Sequence, residues 1–128
     1  MALAIDHVTI SASQLERSLA HYAALLELLG FIRQSDEIWT DGAGFFIQLV
    51  EARPGTRPYE RHAPGLNHLG FGAPDVAFVE RVRDEMRARG FEAPDVQHIG
   101  GATCLFIKDP DGLRFEISHY PPGVPVVS

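Results

Sequence analysis

Apolar and polar side chains alternate from Leu3 to Ser11, so an extended chain puts Val8 and Ile10 on one face and His7, Thr9 and Ser11 on the other. The period then changes. Leu15, Leu19, Tyr22, Leu26 and Leu29 recur at steps of three and four, which is the apolar stripe of a helix. Ser13-Gln14-Leu15-Glu16 has the spacing of a capping box at its start, and Gly30 supplies a left-handed residue at its end. From Phe31 to Ala52 the alternation returns. It predicts two or three strands, turned at Asp41-Gly42, the last running over 44–50 and closed by Arg53-Pro54-Gly55.

After 57–65, a Pro- and Arg-rich stretch read as a linker, the order repeats. Asn67-His68-Leu69-Gly70-Phe71 matches Asp6-His7-Val8-Thr9-Ile10 as a strand. Asp75 is placed to cap a helix that turns Val79, Val82 and Met86 inward and stops at Gly90. Strands follow around 102–107 and 113–119, and Pro121-Pro122-Gly123 closes the unit as Pro54-Gly55 closes the first. Gln48 and Glu116 each precede a proline of the closing turn by six residues. The pattern therefore predicts one domain over 1–128, built from module 1 (1–56) and module 2 (65–123).

The repeat superposes His7 on His68 and Gln48 on Glu116. Each lies on a strand whose opposite face is apolar, carried by Val8 and Ile10, Ile47 and Leu49, Leu69 and Phe71, and Phe115 and Ile117. The two amphipathic helices must cover the apolar faces. The other faces then carry two imidazoles, an amide and a carboxylate, a convergence that points to a ligand site. Two neutral imidazoles and one carboxylate suit a divalent first-row metal (Zn, Ni, Co, Mn or Fe), and the amide oxygen of Gln48 supplies a weaker fourth ligand.

Composition narrows the partners. The 128 residues are 45% hydrophobic and 22% charged, an ordinary globular balance. The formal charge is −6 and the eleven Lys and Arg form no dense run, which argues against nucleic acid. No apolar stretch reaches the length of a membrane span, and the start reads as no signal peptide. With a single Cys104 there is no internal disulfide, so a cytoplasmic protein is expected.

DHVTI at 6–10, NHLGF at 67–71 and DPDGLRFEI at 109–117 together resemble the vicinal oxygen chelate superfamily, the group of glyoxalases, bleomycin-resistance proteins and extradiol dioxygenases. The resemblance covers Ile5 to about Tyr120. It implies an α+β fold, two βαβββ modules forming a curved mixed sheet with helices on its outer face. It also implies metal ligands from the first and last strand of each module, at His7, Gln48, His68 and Glu116 here. The order His, Gln, His, Glu is similar to that of methylmalonyl-CoA epimerase. The implied function is a metal-dependent lyase or isomerase of the glyoxalase or epimerase type, which chelates a small substrate through adjacent oxygens and stabilises an enolate or enediolate. An extradiol-type Fe(II) dioxygenase is the first alternative. A non-enzymatic binding protein of the bleomycin-resistance kind is the second. A homodimer is expected.

Glu116 is also the catalytic candidate, because many bacterial glyoxalases carry Glu where this chain has Gln48. Asp36, Glu37 and, out of phase, Glu51 are further possible bases, and the base is left open. Arg114 shares the face of Glu116 and is placed to hold an anionic substrate group. Trp39 and Phe46 are candidates to wall a pocket. His21 and His62 are expected to be solvated, His98 lies by the Gly100-Gly101 loop, and His119 faces away from Glu116. Cys104 reads as a small buried residue.

Overall fold

The structure, a computed structural model, describes residues 1–127. It divides into two compact units, one of residues Met1–Pro58 and a second beginning at Tyr59. Both run strand, helix and three strands, so the protein is α+β.

In the first unit β1 (His7–Ala12) is followed by α1 (Leu15–Leu28), β2 (Ile32–Ser35), β3 (Ile38–Thr40) and β4 (Phe46–Glu51). The sheet order is β1-β4-β3-β2. β1 runs parallel to β4, and the other pairs are antiparallel. One face is the core: Ile10, Ala12, Trp39, Ile47 and Leu49 are buried with Tyr22, Leu25 and Leu26 of α1. Each isoleucine or leucine among them taken from water contributes about 1.5–3 kcal/mol.

Two local expectations change, and one helix start gains a contact. Leu3 and Ile5 lie outside the strand and are exposed, because β4 offers its first residue, Phe46, opposite His7. The start of α1 gains a partner from β4. Gln14 is its N-cap and makes no side-chain cap bond, while the Leu15 N–H donates to Glu51 Oε2 at 3.0 Å. A carboxylate on the neighbouring strand thus meets the exposed amides and positive end of the helix. His21, expected in water, is buried at 4% exposure beside Tyr22. The inward face of α1 therefore spans Ser18, His21, Tyr22 and Leu25 and is broader than the leucine stripe.

The second unit repeats the order as β5 (His68–Gly72), α2 (Val76–Ala88), β6 (Gln97–Ile99), β7 (Ala102–Lys108) and β8 (Arg114–His119), with sheet order β5-β8-β7-β6. β5 and β8 are parallel. Asp75 caps α2 by accepting from the Phe78 N–H at 2.8 Å, and Val79, Val82 and Met86 are buried, as the periodicity required. β6 escapes the sequence pattern because it is three exposed residues at a sheet edge, held by pairing with β7. Part of the stretch read as a linker is built structure. The Tyr59 hydroxyl donates to the carbonyls of Leu66 and Asn67, and Asn67 Nδ2 donates to the Arg61 carbonyl at 3.1 Å.

The turns ahead of β4 and β8 share one design. Asp109 Oδ1 accepts from the N–H groups of Asp111 and Leu113 at 2.8 and 3.0 Å, and Asp41 Oδ1 accepts from those of Ala43 and Phe45 at 2.7 and 3.0 Å. Those two bonds, Ala43 first, hold the Asp41 carboxyl below its usual range. Gly44 and Gly112 take the left-handed φ values, 103° and 92°, that the last step before the strand requires. Asp41 and Gln48, like Asp109 and Glu116, are seven residues apart, so equivalent turns deliver equivalent side chains.

Candidate metal centre

Alternation decides which side chains leave the core. On β8, Phe115 and Ile117 are buried, which turns Arg114, Glu116 and Ser118 to the other face. Register sets Glu116 between Gly70 on β5 and Phe106 on β7, and Arg114 between His68 and Lys108. A Cβ at Gly70 would have no heavy atom within 4 Å, so the space on the β5 side of Glu116 is open.

His68 Nε2 lies 3.3 Å from Glu116 Oε1. The opposite ring nitrogen, Nδ1, is 2.7 Å from Asn67 Oδ1. Asn67 uses its amide nitrogen to donate to the Arg61 carbonyl, which turns its oxygen to the imidazole. An amide oxygen only accepts, so Nδ1 carries a proton, and in the neutral ring Nε2 is then the lone-pair nitrogen. Glu116 Oε2 accepts from Ser118 Oγ and from the Tyr120 hydroxyl, both at 2.8 Å. Burial, and then the bond to Glu116, hold the Tyr120 phenol above the ordinary tyrosine range, so it stays a neutral donor.

The first unit builds the same elements differently. His7 Nδ1 hydrogen-bonds to Asp6 Oδ1, again the side-chain oxygen one residue earlier, and in the neutral ring Nε2 is again the lone-pair nitrogen. Gln48 pairs with Thr9 across the β1–β4 ladder, and Thr9 Oγ1 donates to Gln48 Oε1 at 3.3 Å. Asp6, His7, Gln34, Ile38, Phe46 and Gln48 line an open groove of about 350 Å³.

The structure thus assembles the four predicted donors as two pairs, one in each unit. Among the described residues no group of three or more His, Cys, Asp or Glu is placed to hold a metal ion. Phe46 lines the first unit's groove. Trp39, expected to wall a pocket, does not: it pairs with Ile47 rather than Gln48, faces the core at 1% exposure, and carries the Arg33 guanidinium over its ring at 4.9 Å. Arg114 is half-buried, and its Nε is buried without a hydrogen-bond partner among the described residues.

Glu51 caps α1 and is thereby spoken for. His119 Nδ1 donates to the Ala73 carbonyl and shares the face of Ile117, and Cys104 is buried beside Ser118. Sequence reasoning missed Asp6, Asn67, Ser118, Tyr120 and Lys108. Asp6 and Asn67 had a legible signal, an oxygen-bearing side chain directly before each repeated histidine.

The sequence model of the Glyoxalase/Bleomycin resistance protein/Dioxygenase superfamily matches residues 4–117. The chain is 28% identical over 125 residues to the uncharacterized protein YqjT of Bacillus subtilis, covering 88% of this chain and 96% of that protein. The fold resembles a glyoxylase/bleomycin resistance protein/dioxygenase domain from Frankia, with a TM-score of 0.77 and 20% identity over 96% of each chain. It also resembles the lactoylglutathione lyase of Agrobacterium tumefaciens, with a TM-score of 0.65 and 21% identity over 93% of this chain and 95% of that one. The chain, matched over nearly its whole length and built from the strand–helix–strands repeat, belongs to the Glyoxalase/Bleomycin resistance protein/Dioxygenase superfamily.

Proposed function

We propose that this protein is a divalent-metal-dependent enzyme of the glyoxalase or epimerase type, with His7, Gln48, His68 and Glu116 as ligands and a small substrate bearing adjacent oxygens. The observation that carries this reading is the approach of His68 Nε2 to Glu116 Oε1 at 3.3 Å with Nδ1 already engaged. In a neutral ring with its proton on Nδ1, Nε2 and Oε1 are both electron-pair donors, an arrangement that one cation held between them would satisfy. At 3.3 Å the two atoms are close enough that they would hold one ion together. Each unit carries two of the four proposed ligands.

When bound, the ion would supply Lewis acidity to the substrate oxygens as a proton is lost from the adjacent carbon. Asp6 and Asn67 hold the two imidazoles in the ligating tautomer. Arg114, with an unpaired buried Nε, and Lys108 opposite it in register meet an anionic group of the substrate beside Glu116. Phe46 and Ile38 supply apolar wall. Glu116 is the candidate to move the proton, with Asp36 and Glu37 as alternatives on an exposed turn. The reading takes the protein as a cytoplasmic homodimer; among the described residues no helix is long and apolar enough to cross a membrane.

The test is metal content after purification without chelator, followed by loading with Zn, Ni, Mn, Co or Fe(II). About one ion per complete ligand set, lost in His68→Ala and Glu116→Ala, supports the reading; a wild-type protein that takes up none of these ions overturns it. Solvent deuterium entering carbon next to a carbonyl, followed by NMR across a panel of anionic 2-oxo compounds, then reports the reaction. Oxygen consumption by an Fe(II) form with a catechol would instead place it with the dioxygenases.

A further inference from the structure

Glu116 is supported by two hydroxyls that bind the same oxygen. Ser118 Oγ and the Tyr120 hydroxyl both donate to Oε2 at 2.8 Å, while Oε1 is the atom directed at His68. Ser118 is fully buried, and Tyr120 follows directly on β8, so neither donor is a freely rotating surface group. Two short bonds to one carboxylate oxygen draw charge onto it, fix the plane of the carboxylate, and leave Oε1 as the atom with an open approach.

The first unit lacks this hydroxyl pair. At the positions equivalent to Ser118 and Tyr120, sixty-eight residues earlier as for Gln48 and Glu116, stand Val50 and Ala52. Gln48 is held instead from the neighbouring strand, by Thr9, whose register equivalent in the second unit is Gly70. The hydroxyl pair therefore accompanies the carboxylate and not the amide. An amide offers an ion one oxygen whatever surrounds it. A carboxylate offers one or two, and its neighbours choose.

We propose that Ser118 and Tyr120 are positioning residues that commit Glu116 to ligation through Oε1 alone, withholding Oε2 and so preserving an open position for substrate. This rests on the metal-ligand role given to Glu116 above. Both hydroxyls are lost with little change of shape in Ser118→Ala and Tyr120→Phe, which keeps the ring.

Co(II) titration of the wild type, the two single variants and the double variant tests it, reading the affinity by chelator competition and the coordination by visible d–d absorption. The expected result is affinity changed by about 10- to 100-fold in the double variant, with weaker, shifted bands as Oε2 joins the ion. A double variant that binds Co(II) with wild-type affinity and a wild-type spectrum overturns the proposal. Circular dichroism melting identifies a double variant that fails to fold; the spectrum of Tyr120→Phe then decides alone, with an unchanged spectrum counting against. A wild type that binds no Co(II) overturns the ligand reading itself, and this inference with it, and that outcome is distinct from binding that is indifferent to the hydroxyls.

Discussion

His68 Nε2 and Glu116 Oε1 face each other 3.3 Å apart, while the opposite ring nitrogen, Nδ1, is engaged by Asn67. Replacing Glu116 by Gln keeps the shape and removes the charge. Metal affinity in Glu116→Gln is expected to fall by at least about 100-fold, since a charged ligand becomes a weak neutral one. Isothermal titration with Zn and Co measures it, and an affinity within a few fold of wild type would speak against ligation by Glu116.

Asp6 and Asn67 orient the two imidazoles through the same bond but differ in charge. Asp6→Ala and Asn67→Ala are each expected to lower metal affinity by about 10- to 100-fold without loss of helix content. Asp6→Asn, which keeps an acceptor, should recover part of that loss. Equal affinities across the three would show that the preceding residue does not set the tautomer.

His21 gives a pH signature that is independent of the metal. Burial lowers its pKa from 6.5 to about 4, so the folded state holds it neutral while the unfolded state takes up a proton below pH 6.5. The unfolded state then binds more protons, and stability falls as pH drops from about 6.5 towards 4, by an amount of at most about 3 kcal/mol. Urea midpoints of wild type and His21→Gln between pH 7 and 4.5 check this. The variant should lose less on acidification, and parallel curves would contradict the assignment.

The two helices begin under different caps. Asp75→Ala removes a local cap from α2 and is expected to cost about 1 kcal/mol. Glu51→Gln weakens the carboxylate that meets the start of α1, and it should lower stability by a similar or smaller amount while leaving metal uptake unchanged. Thermal melts and metal titration of the same samples separate the effects. Lost metal uptake in folded Glu51→Gln would return this residue to the list of functional groups.

The duplicated layout was readable because periodicity reports burial. Val79, Val82 and Met86 recur at helical spacing, and Phe115 and Ile117 alternate, since each must turn from water. Trp39 defeated the same logic. Its neighbours Ile38 and Thr40 are half-buried, so a short strand offered no clear face, and pairing with Ile47 settled its side. His21 was misread because a broad buried face on α1 accepts a neutral imidazole that looks polar in a list of residues.

By itself the sequence determined the strand–helix–strands repeat, the Asp75 cap, and the phase that turns His7, Gln48, His68 and Glu116 away from the apolar faces, all of which depend on residues close together in the chain. Only the tertiary structure decided that Glu51 caps α1, that Arg61 orients Asn67 and through it His68, and that Glu116 has one oxygen held by two hydroxyls and the other directed at an imidazole. Alternation along a strand chooses the face on which a side chain lies. Which atom of that side chain is free depends on hydrogen-bond partners brought up by strand register and loop packing, and those have no period in the sequence.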